Sequence, residues 1–471
     1  MVPIVEFPAI VEHYAPFYEG VFSAEAFIQF KRYISGLLIS ENKTISGING
    51  LFINEVRSQS SLNRFVLNSP FLVESLNASR LRMLGSIPGT RMKPSKGVLS
   101  LDDTLLTHYG QGFEKIAKLW DHVHNCYVWS HNLVSLHYSD NQTDYPINFQ
   151  LWEPADLEKL EKGLPKAGVK LRASKFALKT TSPLKWRQYL LGVWRRKQNN
   201  PEVASLYQSK LLIGQELLQQ WVKIHPELKL PVTFDGWYTQ PAFCRFLNDT
   251  LKLPYVGTLG KTNKVILQTG KKSLETFAKQ LRKEHLEMIK SDPEGGLFQP
   301  ITFRYKGNSE TYYSYCRTHR IATFGKQRLV INYRRVDLTD TPTFFISNRR
   351  RWQAKGITRI RRHRWPVEVY YEEGKAEGLD QYQMRDFEGI YRHVALVAVV
   401  YSLLRAAQHD TVLRYSLQRQ LRIVLEGSNP FWRKVTQADN LWQLALAISS
   451  GLLEGKSLTV ILNPFIQAIC A

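Results

Sequence analysis

With 471 residues, 44% hydrophobic and 22% charged, the chain is long and apolar enough to close large cores, on the order of three domains at roughly 150 residues each. Disordered chains and small disulfide scaffolds are excluded: Gly and Pro number only 28 and 21, and four cysteines (Cys126, Cys244, Cys316, Cys470) lie far apart with no C-x-x-C pair. The excess of 63 Lys and Arg over 41 Asp and Glu, a net charge of +22, draws the chain toward polyanions, nucleic acid before an anionic membrane face.

Residues 1–95 alternate helical patterning with short breaks and read as a helical N-terminal DNA-binding domain. Ser58, Ser60 and Ser61 are candidate N-caps, and Arg57, Arg64, Arg80 and Arg82 decorate the helices. The start lacks the basic-then-apolar order of a secretory signal, which favours a cytosolic, nucleoid-associated location. From Gly97 the texture turns to strands: GVLSL, ending at Asp102 and Asp103, then CYVWSHNLVSLHYS and YPINFQLW. Residues 155–200 are a charged stretch of poor β character, followed by a helix from Pro201 to about Ile224. LPVTFDGWY, a short helix and LPYVGTLG then give the β-α-β alternation of a mixed α/β sheet.

Residues 262–348 interrupt that core (96–261) with a helix around Leu274 to Met288 and four strands, a β-rich insertion. The core resumes over 349–410 with helices opening at Trp365 and Pro366 and at about Phe387, and 411–471 form a helical C-terminal region. No run reaches the roughly 20 apolar residues of a membrane span; the longest, Val394 to Leu404, reads as a buried helix, and no membrane partner is expected.

Carboxylates at the ends of core strands are suited to holding Mg²⁺ through oxygen ligands, and Asp235, at the end of an apolar strand, needs a partner or a cation. RHRWPVEVYYEEGK sets Arg364, Glu368 and Lys375 around a helix start fixed by Pro366; Glu368 and Lys375, seven apart, share a face. Immediately before it, Arg349 to Arg364 carries eight Lys and Arg and no acid, a self-repelling density that calls for an anion. His122, His124, Cys126 and His131 form no convincing zinc set, because the segment crosses into a strand. Tyr312, Tyr313, Tyr315 and Trp352 fit sheet packing better than stacking on an extruded base.

In this ordered context the chain resembles the D-D-E transposases of bacterial insertion sequences, over about residues 40–410. Their Y-x₂-R-x₃-E-x₆-K signature is similar to Arg361, Arg364, Glu368 and Lys375, with arginine at the tyrosine position. Asp102-Asp103-Thr104 is similar to their first D-x-T segment, and Asp235-Gly236-Trp237-Tyr238 to the surroundings of their second acid. Either Asp102 or Asp103 can be the first ligand; the D-x-T spacing selects Asp102.

The resemblance implies an RNase H-like mixed-sheet core in which Asp102, Asp235 and Glu368 are catalytic and hold two Mg²⁺ ions, with Mn²⁺ able to substitute. It implies that Arg361, Arg364 and Lys375 contact DNA, and the basic density of the preceding run adds Arg349, Arg350 and Arg351. The partners are double-stranded element ends and target DNA, with a homodimer on paired ends. The activity is Mg²⁺-dependent end cleavage and strand transfer. The rivals are a domesticated DNA-binding relative without chemistry and a nuclease for RNA or hybrid duplexes.

Overall fold

The computed structural model describes residues 2–292, 295–457 and 459–463, so Cys470 and the end of the C-terminal region lie outside it. The chain opens with helices α1 (Ala9–Tyr14), α2 (Ala24–Ile39), α3 (Ile45–Asn49), α4 (Gln59–Asn68) and α5 (Val73–Ser86). Ser23, Thr44 and Ser58 start α2, α3 and α4 by accepting backbone N–H groups of the first turn.

Strands β1 (Val98–His108), β2 (Ala117–Asp121), β3 (Cys126–Ser139) and β4 (Asp144–Trp152) follow, then helices α6 (Leu157–Lys166), α7 (Leu178–Thr181), α8 (Pro183–Lys197), α9 (Pro201–Ala204) and α10 (Lys210–Ile224). Next come β5 (Val232–Phe234), α11 (Pro241–Arg245), β6 (Tyr255–Leu259), β7 (Lys264–Leu267), β8 (Gly270–Ser273) and α12 (Leu274–Ser291). The chain continues through β9 (Gln299–Tyr305), β10 (Asn308–Ile321), β11 (Gly325–Tyr333) and β12 (Thr343–Ser347), and then through α13 (Ala354–Arg362), α14 (Trp365–Ala376), α15 (Phe387–Ala407), α16 (Thr411–Leu421) and α17 (Asn429–Leu453).

β4, β3, β1, β5 and β6 lie side by side, with β3 antiparallel to β1 and to β4, and β5 parallel to β1 and to β6. This is the expected RNase H-like mixed sheet. The strands of the insertion do not build a second sheet: β12 pairs antiparallel with β6, and β11 and β10 extend the same sheet. The N-terminal helices likewise share one continuous core with the sheet, from Ile4 to Val435, with no break near residue 95. Its centre is α15, long and apolar enough to cross a membrane by length and composition, yet 89% of that window is buried against α2, α4, α5, α14, α17 and β4.

Two local expectations change, at the end of β1 and at the helix from Pro201, and the rest is detail that the sequence left open. Asp102 and Asp103 do not end β1, because Thr104, Leu105 and Leu106 carry the pairing with β3 on to His108. The stretch 155–200 is helical, and the helix expected from Pro201 breaks into α9 and α10, the latter capped afresh by Ser209. Half of the basic run before Glu368 is the helix α13. β2, β7 and β8 are strands too short and too polar to stand out in the sequence.

Candidate active site

The register of β1 and β5 sets two acids side by side. Leu101 pairs with Phe234 on adjacent parallel strands, so Asp102 and Asp235 occupy the next position on each, one strand spacing apart at about 4.8 Å. Beyond Phe234 the backbone turns: Asp235 Oδ1 accepts N–H bonds from Trp237 (3.0 Å) and Tyr238 (3.1 Å), and its carbonyl accepts the Thr239 hydroxyl (2.6 Å).

Successive side chains of a strand face opposite ways, and this separates the aspartate doublet. Asp103 faces α10, where it accepts hydrogen bonds from Lys210 Nζ (2.7 Å), Asn132 Nδ2 (2.7 Å) and the Tyr238 hydroxyl (3.0 Å). Both its oxygens are engaged in structural contacts. Asp102 faces α14 instead and hydrogen-bonds the guanidinium of Arg364 through Oδ2. The Tyr371 hydroxyl donates to the Asp102 carbonyl at 2.9 Å and so ties α14 to β1.

Arg364 is the residue from which α14 starts, with Pro366 in the first turn where its missing N–H costs nothing. One helical turn on, Glu368 lies on the same face and takes the other terminal nitrogen of the same guanidinium. Arg364 therefore bridges Asp102 and Glu368, and its Nε is buried without a partner.

Burial drives the Asp102 carboxyl up to about 7, with Asp235 and Asp103 adding to the rise and Arg364 opposing it. Burial acts to lower Arg364, but the Asp102 and Glu368 carboxylates more than offset this and raise it. Burial, helped by the neighbouring Arg364 charge, brings Arg361 down to about 10.

The three acids thus share one electrostatic neighbourhood, and all their donors are hard carboxylate oxygens, the set that magnesium prefers. Among the described residues no three His, Cys, Asp or Glu side chains stand close enough to hold a metal as they are. The cationic position between Asp102 and Glu368 is filled by Arg364, so this donor set would fit a divalent ion only with that side chain moved away.

The remaining expected residues divide. Arg361 bonds the Thr258 hydroxyl at 2.8 Å and, with Arg334, Arg362 and Trp365, lines a cavity of about 220 Å³ that reaches Arg364. Arg362 is paired with Glu310 of the insertion at 2.8 Å. Arg349, Arg350 and Arg351 are exposed and carry no ion pair. Lys375 does not join the carboxylates: it sits in the last turn of α14, about 10 Å along the axis from Glu368, with Asp380 as its electrostatic neighbour.

Tyr312 and Tyr315 are buried in the sheet, and the half-exposed aromatics beside the site are Trp237 and Trp365. His131 is buried between the Tyr382 hydroxyl and the Glu114 carbonyl, and His122, His124 and Cys126 form no metal set with it. Lys210, Asn132 and Tyr371 were missed by sequence reasoning. Period-two alternation alone signals that Asp102 and Asp103 need separate partners, without saying which.

A search of curated proteins finds no match. Residues 16–273, more than half of the chain and including Asp102 and Asp235, match the family model described as DDE superfamily endonuclease, whose members generally use divalent metals. With the RNase H-like sheet beneath those two aspartates, the chain belongs to the DDE superfamily of endonucleases.

Proposed function

We propose that this endonuclease is a DNA transposase: it binds the terminal inverted repeats of its own mobile element and performs Mg²⁺-dependent strand cleavage and strand transfer, the cut-and-paste reaction. The observation that carries the reading is that Arg364 bridges Asp102 and Glu368 from distant segments, while Asp235, on the strand beside Asp102, acts electrostatically on Asp102 and Arg364.

Asp102, Asp235 and Glu368 would hold two Mg²⁺ ions, with Mn²⁺ an acceptable substitute. Such ions supply activation of a water or 3′-hydroxyl and stabilisation of the leaving oxygen in an in-line displacement. The rest belongs to the chain. β1 and β5 fix the spacing of the two aspartates, and the Tyr371 hydroxyl on the Asp102 carbonyl keeps Glu368 turned toward them.

Once released from the carboxylates, Arg364 can grip a phosphate with two parallel N–H bonds, and Arg361 stands beside it for the same purpose. Arg349, Arg350, Arg351 and Lys375 would hold the backbone farther from the scissile bond, setting register without reading sequence. Joining two ends makes a homodimer on DNA the working form.

The test incubates the purified protein and Mg²⁺ with a linear duplex carrying the inverted repeats that flank its reading frame, together with a supercoiled target. Covalently joined products are expected. Cutting without joining would make the chain a nuclease only, and specific binding with neither product would make it a non-catalytic relative.

A further inference from the structure

The helices between β4 and α10 form a small body of their own. Leu160, Leu164, Trp186, Leu190, Trp194 and Val203 pack together as a core separate from that of the sheet. Tyr207 closes its base, accepting the Trp152 indole N–H at 3.0 Å. Nothing in the metal chemistry requires these 53 residues, 155–207.

Their charge is strongly one-sided. Residues 155–207 carry 12 Lys and Arg against 4 Asp and Glu, whereas residues 1–95 carry 9 against 7. Only Lys162 and Lys179 of the twelve are paired, with Glu158 and Glu161, and most of the others are exposed.

Several N-terminal arginines are already engaged. Arg32 and Arg80 are buried and hydrogen-bonded, Arg57 lies between Glu25 and Glu55, and Arg82 bonds Ser79. Arg195, Arg196 and Lys197 complement the C-terminal end of the α8 dipole, and Lys166 that of α6, but this leaves Lys170, Arg172 and Lys185 unexplained.

The position of this body gives the charge a use. Asp102 is level with Ser135 on β3 and Phe149 on β4, and Trp152, where β4 ends, is only three residues beyond that level. The helices therefore leave the sheet about 10 Å along and about 10 Å across from Asp102. They rejoin it at Lys210, whose Nζ bonds Asp103. Lys210 belongs to the α10 face, opposite the α14 face that Asp102 takes, so the body stands beyond the strand ends, and a duplex reaching Asp102 from that end would run on past it.

We infer that residues 155–207 are a phosphate-backbone clamp for duplex DNA beside the catalytic acids, acting through unpaired lysines and arginines without reading bases. The inference rests on the proposed action on DNA.

The test uses the full chain and a fluorescent duplex, with affinity measured by anisotropy at several NaCl concentrations. Two charge-matched triple variants are compared: Arg195→Gln/Arg196→Gln/Lys197→Gln in the clamp, and Lys264→Gln/Lys271→Gln/Lys290→Gln at exposed, unpaired positions of the insertion. Thermal melts check that both are folded.

Each lost phosphate contact lowers the slope of log K against log salt by about 0.9, so the clamp variant is expected to lose about 2 to 3 units of slope and roughly tenfold or more in affinity at 150 mM salt. The control variant should lose less than about 1 unit. Equal losses in both variants, or an unchanged clamp variant beside a steeply salt-dependent parent, would overturn the clamp. A parent that binds no duplex would instead overturn the proposed function.

Discussion

Asp102 and Arg364, 262 residues apart in the chain, are hydrogen-bonded to each other, and the same guanidinium also holds Glu368. An arginine thus occupies the position that the proposed metal ions would need. Two carboxylates left facing each other repel unless a cation separates them.

Removing the resident cation should expose that repulsion. Arg364→Gln is expected to lower the thermal midpoint of the metal-free protein, and Mg²⁺ should restore it by more than it shifts the parent, because binding to the folded state alone stabilises in proportion to RT ln(1 + [L]/Kd). Melts with and without Mg²⁺ check this. Equal Mg²⁺ shifts in both proteins would mean that Arg364 does not compete with the ion.

The aspartate doublet should split cleanly. Asp102→Asn, Asp235→Asn and Glu368→Gln keep shape but lose charge, and each is expected to reduce Mg²⁺-dependent cleavage to roughly a thousandth or less while duplex binding persists. Asp103→Asn weakens the contacts with Lys210, Asn132 and Tyr238, so its loss should fall on stability, about 1 to 3 kcal/mol. A dead but fully stable Asp103→Asn would reverse the assignment.

Gly257 makes room for the Asp235 turn. A Cβ there would lie 2.8 Å from the Thr239 hydroxyl and 2.9 Å from the Phe234 ring, the two residues flanking that turn. Gly257→Ala is expected to cost about 1 to 3 kcal/mol and to lower cleavage by shifting Asp235. Gly356→Ala in α13 meets nothing within 4 Å and should stabilise by about 0.5 to 1 kcal/mol. Denaturant midpoints for the two variants should move in opposite directions.

Acid should weaken the fold through His393. Its Nε2 donates to the Gly378 carbonyl at 2.7 Å, so Nδ1 accepts the Tyr33 hydroxyl at 2.8 Å and no site remains for a second proton. Burial holds its pKa down to about 4, against an ordinary value near 6.5. Between those values the unfolded chain takes up a proton that the folded chain does not. The His393 contribution to stability therefore falls as pH drops from 6.5 toward 4, by up to about 3 kcal/mol, and is constant above 6.5. Unfolding free energies at pH 7.5 and 5 measure the difference, and His393→Gln should reduce it, leaving the share of His108 and His363, which burial also brings down to about 4.

Much of this was written locally. The net charge of +22, the Ser58 cap of α4, the apolar runs of β1, β3 and α15, and the order Arg364, Pro366, Glu368 are set within a few residues, because caps, propensity and hydrophobic period act over one or two turns. Ser60 and Ser61, by contrast, fall inside α4. Long-range pairing decided the rest. A strand's alternation says that Asp102 and Asp103 face apart, but only the packing of α10 on one side and α14 on the other gives Asp103 to Lys210 and Asp102 to Arg364. The same holds for the insertion, whose strands could have closed on themselves until β12 found the open edge of β6. Such contacts depend on which faces are buried together, and that is a property of the assembled core that no short stretch of sequence contains.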